Sequence, residues 1–196
     1  MATSYEEIKG FLENRELKFK HVDQDDNEFL LLGSGTSTYV DDEGDNHVRI
    51  IIELHEDGEF IRFIAPNLYQ YDGPYKAQVF QLCVMSMYTT KMIQYEYDPS
   101  DGEIRMTIEW PIEDGNLTEK QMMRALAAIV EFADKHHIAF KTAMDSGEIK
   151  LDDDREKMRA MMELMSSAQG MSAADLLAMK EALEEKKKAG GAPSVL

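Results

Sequence analysis

The chain carries a single cysteine in 196 residues, Cys83, so it cannot close an internal disulfide. That scarcity fits a reducing cytosol. Its first residues, Met-Ala-Thr-Ser-Tyr-Glu-Glu, hold neither a basic segment nor an apolar core, and so predict no secretory signal. No apolar run approaches the roughly 20 residues of a membrane span. No Gly-Lys pair occurs, and Gly33-Ser-Gly35 lacks the lysine and following hydroxyl of a P-loop, which removes a phosphate cradle. Gly-x-Ser-x-Gly is absent as well, so the nucleophile turn of serine hydrolases has no place to form. These absences predict a soluble, cytoplasmic protein with no evident reacting group.

Bases are scarce too. Against 38 acids stand 21 lysines and arginines, leaving a net charge of −17 and a pI near 4.6. From Glu148 onward there are 10 acids and 8 bases, while the first 147 residues hold 28 and 13. The acidity therefore belongs to the main body of the chain and not to a tail. A field of that sign repels nucleic-acid phosphates and anionic membranes, and favours basic or amphipathic protein segments. The expected partner is a protein, with no nucleic acid and no membrane.

What is present is mostly structural instruction. Ser4-Tyr-Glu-Glu7 is a capping box opening a helix, with Tyr5, Ile8, Phe11 and Leu12 at helical spacing. Leu17, Phe19 and Val22 begin a strand. The residues from Asp23 to Glu28 predict a polar turn, Phe29 to Leu32 a strand, and Gly33-Ser-Gly35 a flexible link. Val48, Ile50, Ile52 and Leu54 alternate through a clear strand ending at His55, and Glu56-Asp-Gly58-Glu turns it into Phe60 to Ile64. Pro66 to Gly73 predicts a loop carrying Tyr69 and Tyr71. Pro74 suits the first turn of a helix running to about Met92 that is apolar around most of its circumference. A hairpin follows: Tyr95-Glu-Tyr97-Asp alternates, Asp101-Gly102 turns the chain, and Ile104 to Trp110 alternates again. Pro111 ends that strand. Thr118-Glu-Lys-Gln121 is a second capping box, with Leu117 and Met122 placed as a hydrophobic staple. Its helix is expected to reach about His136 and to bury Met122, Leu126, Ile129, Val130 and Ala133.

Gly147 marks a boundary. Beyond it, Met158, Met161, Met162 and Met165 recur at helical spacing, and Leu176 and Leu177 sit on a last helix that ends in Lys186-Lys187-Lys188. The order predicts an α+β fold, an antiparallel β-sheet packed against helices, over residues 1–147. Residues 148–196 form a Met-rich helical extension with a fraying end.

Residues Tyr95-Glu-Tyr97-Asp98, Asp101-Gly102-Glu103-Ile104-Arg105, Trp110-Pro111-Ile-Glu-Asp114 and Leu117-Thr118-Glu119-Lys-Gln121 with Arg124 and Leu126 resemble the YbjN family over about residues 1–140. The fold of that family is similar to the type III secretion chaperones. The resemblance implies a non-enzymatic regulatory or chaperone-like protein, often a dimer, with no catalytic residues to transfer.

Other motifs carry less. His55-Glu56-Asp-Gly-Glu59 has Glu where a zincin helix needs its second histidine. His136-His137 diverge by about 100° on a helix, so they read as cations at a helix C-terminus and not as a shared metal site. The acidic stretches at Asp23 and Asp41 lack the glycine and glutamate positions of an EF-hand loop, which leaves only weak cation binding at Asp41-Asp42-Glu43. Cys83 lies in the greasiest helix, where a thiol usually packs. No metal or cofactor is expected.

Two functional expectations remain. One is a chaperone-like or sensory, protein-binding homodimer. Val79, Phe80, Leu82, Val84 and Met87 would supply self-association, and Met158, Met161, Met162, Met165, Leu176 and Leu177 would hold an amphipathic partner segment. Those methionines could equally pack at home or on a second subunit. The other is a small-ligand binder or enzyme using Tyr69, Tyr71 and Tyr75 with nearby carboxylates. A structural subunit of a larger assembly is a third possibility.

Overall fold

A computed structural model describes residues 2–24 and 27–151. In chain order the elements are α1 (Tyr5–Asn14), β1 (Phe19–Gln24), β2 (Asn27–Gly35), β3 (His47–His55), β4 (Phe60–Gln70), α2 (Lys76–Tyr88), β5 (Gln94–Tyr97), β6 (Glu103–Pro111) and α3 (Glu119–Ser146). The strands form one antiparallel sheet in the order β1-β2-β3-β4-β6-β5. The fold is α+β. The first four strands are a meander, and the second hairpin turns over so that β6 docks on β4 and the short β5 becomes the edge.

Alternation along the strands sets the two faces. Leu30, Ile52, Phe63 and Ile108 lie side by side across four strands and are all fully buried. This row is the centre of the core, and the helices cover it. On the opposite face the register brings Glu53, Arg62 and Glu109 into line. There Arg62 pairs with Glu96 at 2.9 Å and Glu109 at 2.8 Å, and Arg105 pairs with Glu96 at 2.9 Å.

Both capping boxes form. Ser4 accepts from the Glu7 N–H and the Glu7 carboxylate accepts from the Ser4 N–H; Thr118 and Gln121 do the same for α3. Each satisfies two donors that a helix start leaves without intrahelical partners.

Five expectations need correction. Gly33-Ser-Gly35 is not a link: all three residues pair with β3, extending β2 to Gly35. Likewise, in the turn expected from Asp23 to Glu28, Asp23, Gln24, Asn27 and Glu28 are strand, with Asp23 facing Glu28 and Gln24 facing Asn27, while Asp25 and Asp26 lie outside the described residues. The loop expected from Pro66 is instead the second half of β4, reached through an irregularity between Ala65 and Tyr69. Proline has no N–H for a ladder, so the strand bulges where Pro66 sits. Asn67 takes a left-handed φ of 49° there, and its N–H donates to the Glu103 carboxylate at 2.8 Å. Finally α3 runs to Ser146, ten residues past the expected end, and α2 stops at Tyr88 with Thr89 as its cap.

The long helix continues because its buried stripe continues. Met122, Leu126, Ile129, Ala133, His136, His137, Phe140 and Ala143 are buried at spacings of three and four. Gly147, at φ 75°, ends the helix by donating to the Ala143 carbonyl. None of the described helices is long and apolar enough to cross a membrane.

Candidate functional site

α2 presents two apolar faces, and this chain's own core uses one, which packs on α3 and β5. Val79 and Leu82 are fully buried, and Cys83 and Ser86 are buried beside them. Val79 and Leu82 were expected at a self-association surface; they lie inside this chain's own core because they occupy the side of α2 turned to it. Met87 is half-buried. The outward side carries Ala77, Phe80, Gln81, Val84, Met85 and Tyr88, all exposed. Val84 is 63% and Tyr88 87% accessible. Spacings of three and four make these residues one stripe. α2 contains no acid anywhere along its length, although the chain has 38. At its start Lys76 pairs with Asp72 at 2.6 Å and lies 4.5 Å from the Tyr97 ring centre. That contact with Asp72 holds the lysine pKa above its ordinary value.

The thiol of Cys83 on the inner face is pushed up to about 12 by burial, so it remains protonated and packs as an apolar group.

A second feature gathers where β4 ends against α3. Tyr69 and Tyr71 line a cleft of about 430 Å³ together with Asp41, Asp42, His137 and Lys141. Tyr75 is not among its walls; it packs against Gly147, where an added Cβ would meet the Tyr75 ring at 2.6 Å. The hydroxyls already have partners. Tyr69 Oη lies 3.3 Å from His137 Nδ1, and Tyr71 donates to the Met144 carbonyl at 3.0 Å while accepting from the Tyr75 N–H. Burial raises the Tyr69 pKa. Burial, then the charge of Lys141, lowers that of His137 against an opposing pull from Asp134.

His136 and His137 therefore do not sit at a helix end. Both are buried in the interior of α3, and His137 stacks with Tyr69 and meets the Tyr39 ring edge-on at 5.3 Å. Burial there favours the neutral imidazole of His137.

One turn before it, Asp134 reaches across to the loop after β2. Its carboxylate accepts from the N–H groups of Ser37, Thr38 and Tyr39 at 2.7 to 3.0 Å. Sequence reasoning missed this anchor, because nothing local to Asp134 signals a contact made almost a hundred residues away.

A second concavity, about 450 Å³, lies between the end of β6 and the first turns of α3; Trp110 and Arg124 are among its walls. Trp110 is held edge-on to Phe63 with ring centres 5.7 Å apart.

Two groups of ligand-type atoms lie within 4.8 Å of one another among the described residues: Asp41, Asp45 and His47, and Asp98, Asp101 and Glu103. Both also shape turns. Asp41 Oδ1 accepts from the N–H groups of Glu43 and Asp45, and Asp98 and Asp101 each accept from an N–H two residues on. Asp42 and Glu43, expected beside Asp41 at a weak cation site, belong to neither group. His55 ends β3 and Glu56 opens a short turn, so no zincin helix exists at that position.

The expected partner-holding residues Met158, Met161, Met162, Met165, Leu176 and Leu177 lie outside the described residues.

No family model matches the chain, and no curated protein matches it. Among solved structures it is similar to the crystal structure of YbjN from E. coli, described as a candidate transcription regulator. That likeness covers 71% of this chain and 90% of that one, at 11% identity and a TM-score of 0.49.

Proposed function

We propose that this chain is a non-enzymatic protein-binding module whose first partner is a second copy of itself, joined through the outward stripe of α2. The observation that carries the reading is an exposed apolar helix face without a single acid in a chain of net charge −17. Two strongly anionic molecules repel each other least where neither presents an unpaired carboxylate. The stripe is also self-complementary. In an antiparallel two-fold pairing about Leu82, Phe80 of one copy lies opposite Val84 of the other, and Lys76 opposite Tyr88. An ammonium on a phenol ring is a favourable pair.

The size of the stripe sets the strength. A 13-residue helix is about 20 Å long, and one face of it falls short of the roughly 800 Å² per partner of a standard interface. The pairing is therefore expected in the micromolar range and to depend on concentration. Sedimentation of the whole chain across that range tests it. A concentration-dependent monomer–dimer equilibrium is the expected result, weakened at least tenfold by Val84→Glu, which buries a charge at the centre of the stripe. Far-ultraviolet circular dichroism controls for folding, since Val84 touches solvent. A wild-type chain that stays monomeric at ~100 µM, well above the Kd of a micromolar pair, refutes self-association at this face.

A further inference from the structure

The cleft beside Trp110 differs from the Tyr69 cleft in what its walls carry. Met92, Trp110, Ile112 and Leu117 line it, with Gln121 and Arg124 on the α3 side. At about 450 Å³ it falls within the range of small-ligand sites. Among the described residues no carboxylate borders it, whereas Asp41 and Asp42 border the Tyr69 cleft. Arg124 is exposed and forms no ion pair among the described residues. The Gln121 carbonyl oxygen is committed to the helix cap, which leaves its amide N–H groups as further donors on that side. The walls thus offer apolar surface, N–H donors and one guanidinium, within a molecule that is otherwise anionic.

We propose that this cleft binds a small apolar carboxylate, its tail against Trp110 and Met92 and its head group on Arg124. The apolar walls draw in the tail, and each methylene fully removed from water tightens binding roughly fourfold. Charge decides the head. A carboxylate meets a guanidinium that no described residue pairs with, while an ammonium finds no acid among the described walls.

Trp110 is the single tryptophan of the chain, so its emission reports on this cleft directly. The test titrates the whole chain with octanoate, with the uncharged octanamide and with octylammonium. The expected result is a saturable change in Trp110 emission, with octanoate binding about fivefold more tightly than octanamide, as one partly solvated ion pair allows. Octylammonium should be weakest. Arg124→Gln, a change at an exposed position, should bring octanoate level with octanamide. Val84→Ser should leave the titration unchanged, which separates this cleft from the α2 stripe. No saturable change, equal affinity for octylammonium, or an octanoate preference that survives Arg124→Gln would overturn the proposal. So would a response lost in Val84→Ser.

Discussion

Removing the Asp134 carboxylate should unfasten the loop that follows β2. Its two oxygens accept from three consecutive N–H groups, Ser37 at 2.9 Å, Thr38 at 2.7 Å and Tyr39 at 2.8 Å. Hydrogen bonds to a charged acceptor each contribute about 1.5–3 kcal/mol. Simple addition overstates the loss in Asp134→Ala, since water can reach the freed N–H groups of Ser37 and Thr38, which are exposed. The Tyr39 N–H is half-buried, and its donor would be left without a partner. A loss of about 2–3 kcal/mol follows, or roughly 5–10 °C in Tm for a domain of this size. Asp134→Asn keeps one acceptor oxygen and should cost about 1 kcal/mol.

The pH dependence has a definite sign. Burial pushes the Asp134 carboxyl up, but the N–H groups of Tyr39, Ser37 and Thr38 outweigh it and hold the group below its ordinary range. A depressed carboxylate contributes stability in full above its unfolded pKa, near 4, and loses it as pH falls through the lower folded value. Asp134→Ala should therefore differ most from the parent near neutrality and converge with it in acid. Urea unfolding followed by Trp110 emission measures both. An Asp134→Ala variant within about 0.5 kcal/mol of the parent, or an Asn variant as damaged as Ala, would refute the reasoning.

Two further outcomes follow from other contacts. Gly58→Ala should destabilise by about 2–4 kcal/mol, because φ is +92° there and the new Cβ would sit 2.0 Å from the Thr3 carbonyl oxygen. Thermal melts of the two proteins give the difference, and equal Tm values would contradict the crowding. His137, whose pKa is lowered by burial and then by Lys141, should make the fold lose stability as pH falls. The unfolded chain takes up its proton near pH 6.5 and the folded one only below that. NMR titration of the imidazole should give a midpoint under that of a free histidine, and His137→Gln should flatten the slope of stability between about pH 5 and 7.

How far the fold was legible depended on whether the signal was local. Both capping boxes, the β3 strand and the hairpin through Gly102 are specified by residues a few positions apart, and each stands where the pattern puts it. The misses needed tertiary information. Pro66 suggests a loop because proline forbids one ladder bond, yet the Glu103 carboxylate takes up the displaced Asn67 N–H and lets β4 resume. The pair His136-His137 suggests a helix end because histidine titrates near neutrality. Burial against Tyr69, Tyr39 and Phe132 keeps both inside the stripe, and Phe140 and Ala143 carry it on. The candidate site was legible in kind but not in detail. A helix apolar on all sides announces a surplus face, but cannot say that Val79 and Leu82 turn inward while Phe80 and Val84 turn out. The Trp110 cleft had no local signal, since Met92, Trp110 and Arg124 meet only after β6 has docked on β4.

The distribution of charge ties these observations together. Where an acidic chain omits acids is more telling than where it places them, because solvated carboxylates are the default surface and contribute little individually. The sheet face away from the helices is stitched by Arg62 and Arg105 to Glu53, Glu96, Glu103 and Glu109, so its cations are spent internally. The Tyr69 cleft is bordered by Asp41, Asp42 and Asp145. What is left is the α2 stripe, apolar and acid-free, and the Trp110 cleft, apolar with one uncommitted guanidinium. On a molecule of net charge −17 these are, among the described residues, two places where an apolar surface carries no carboxylate of its own. The stripe is long and convex, the form of a helix-to-helix contact. The cleft is small and concave, the form of a ligand site. Shape and charge therefore suit the two surfaces to different proposed occupants, a second copy on the stripe and a small anion in the cleft.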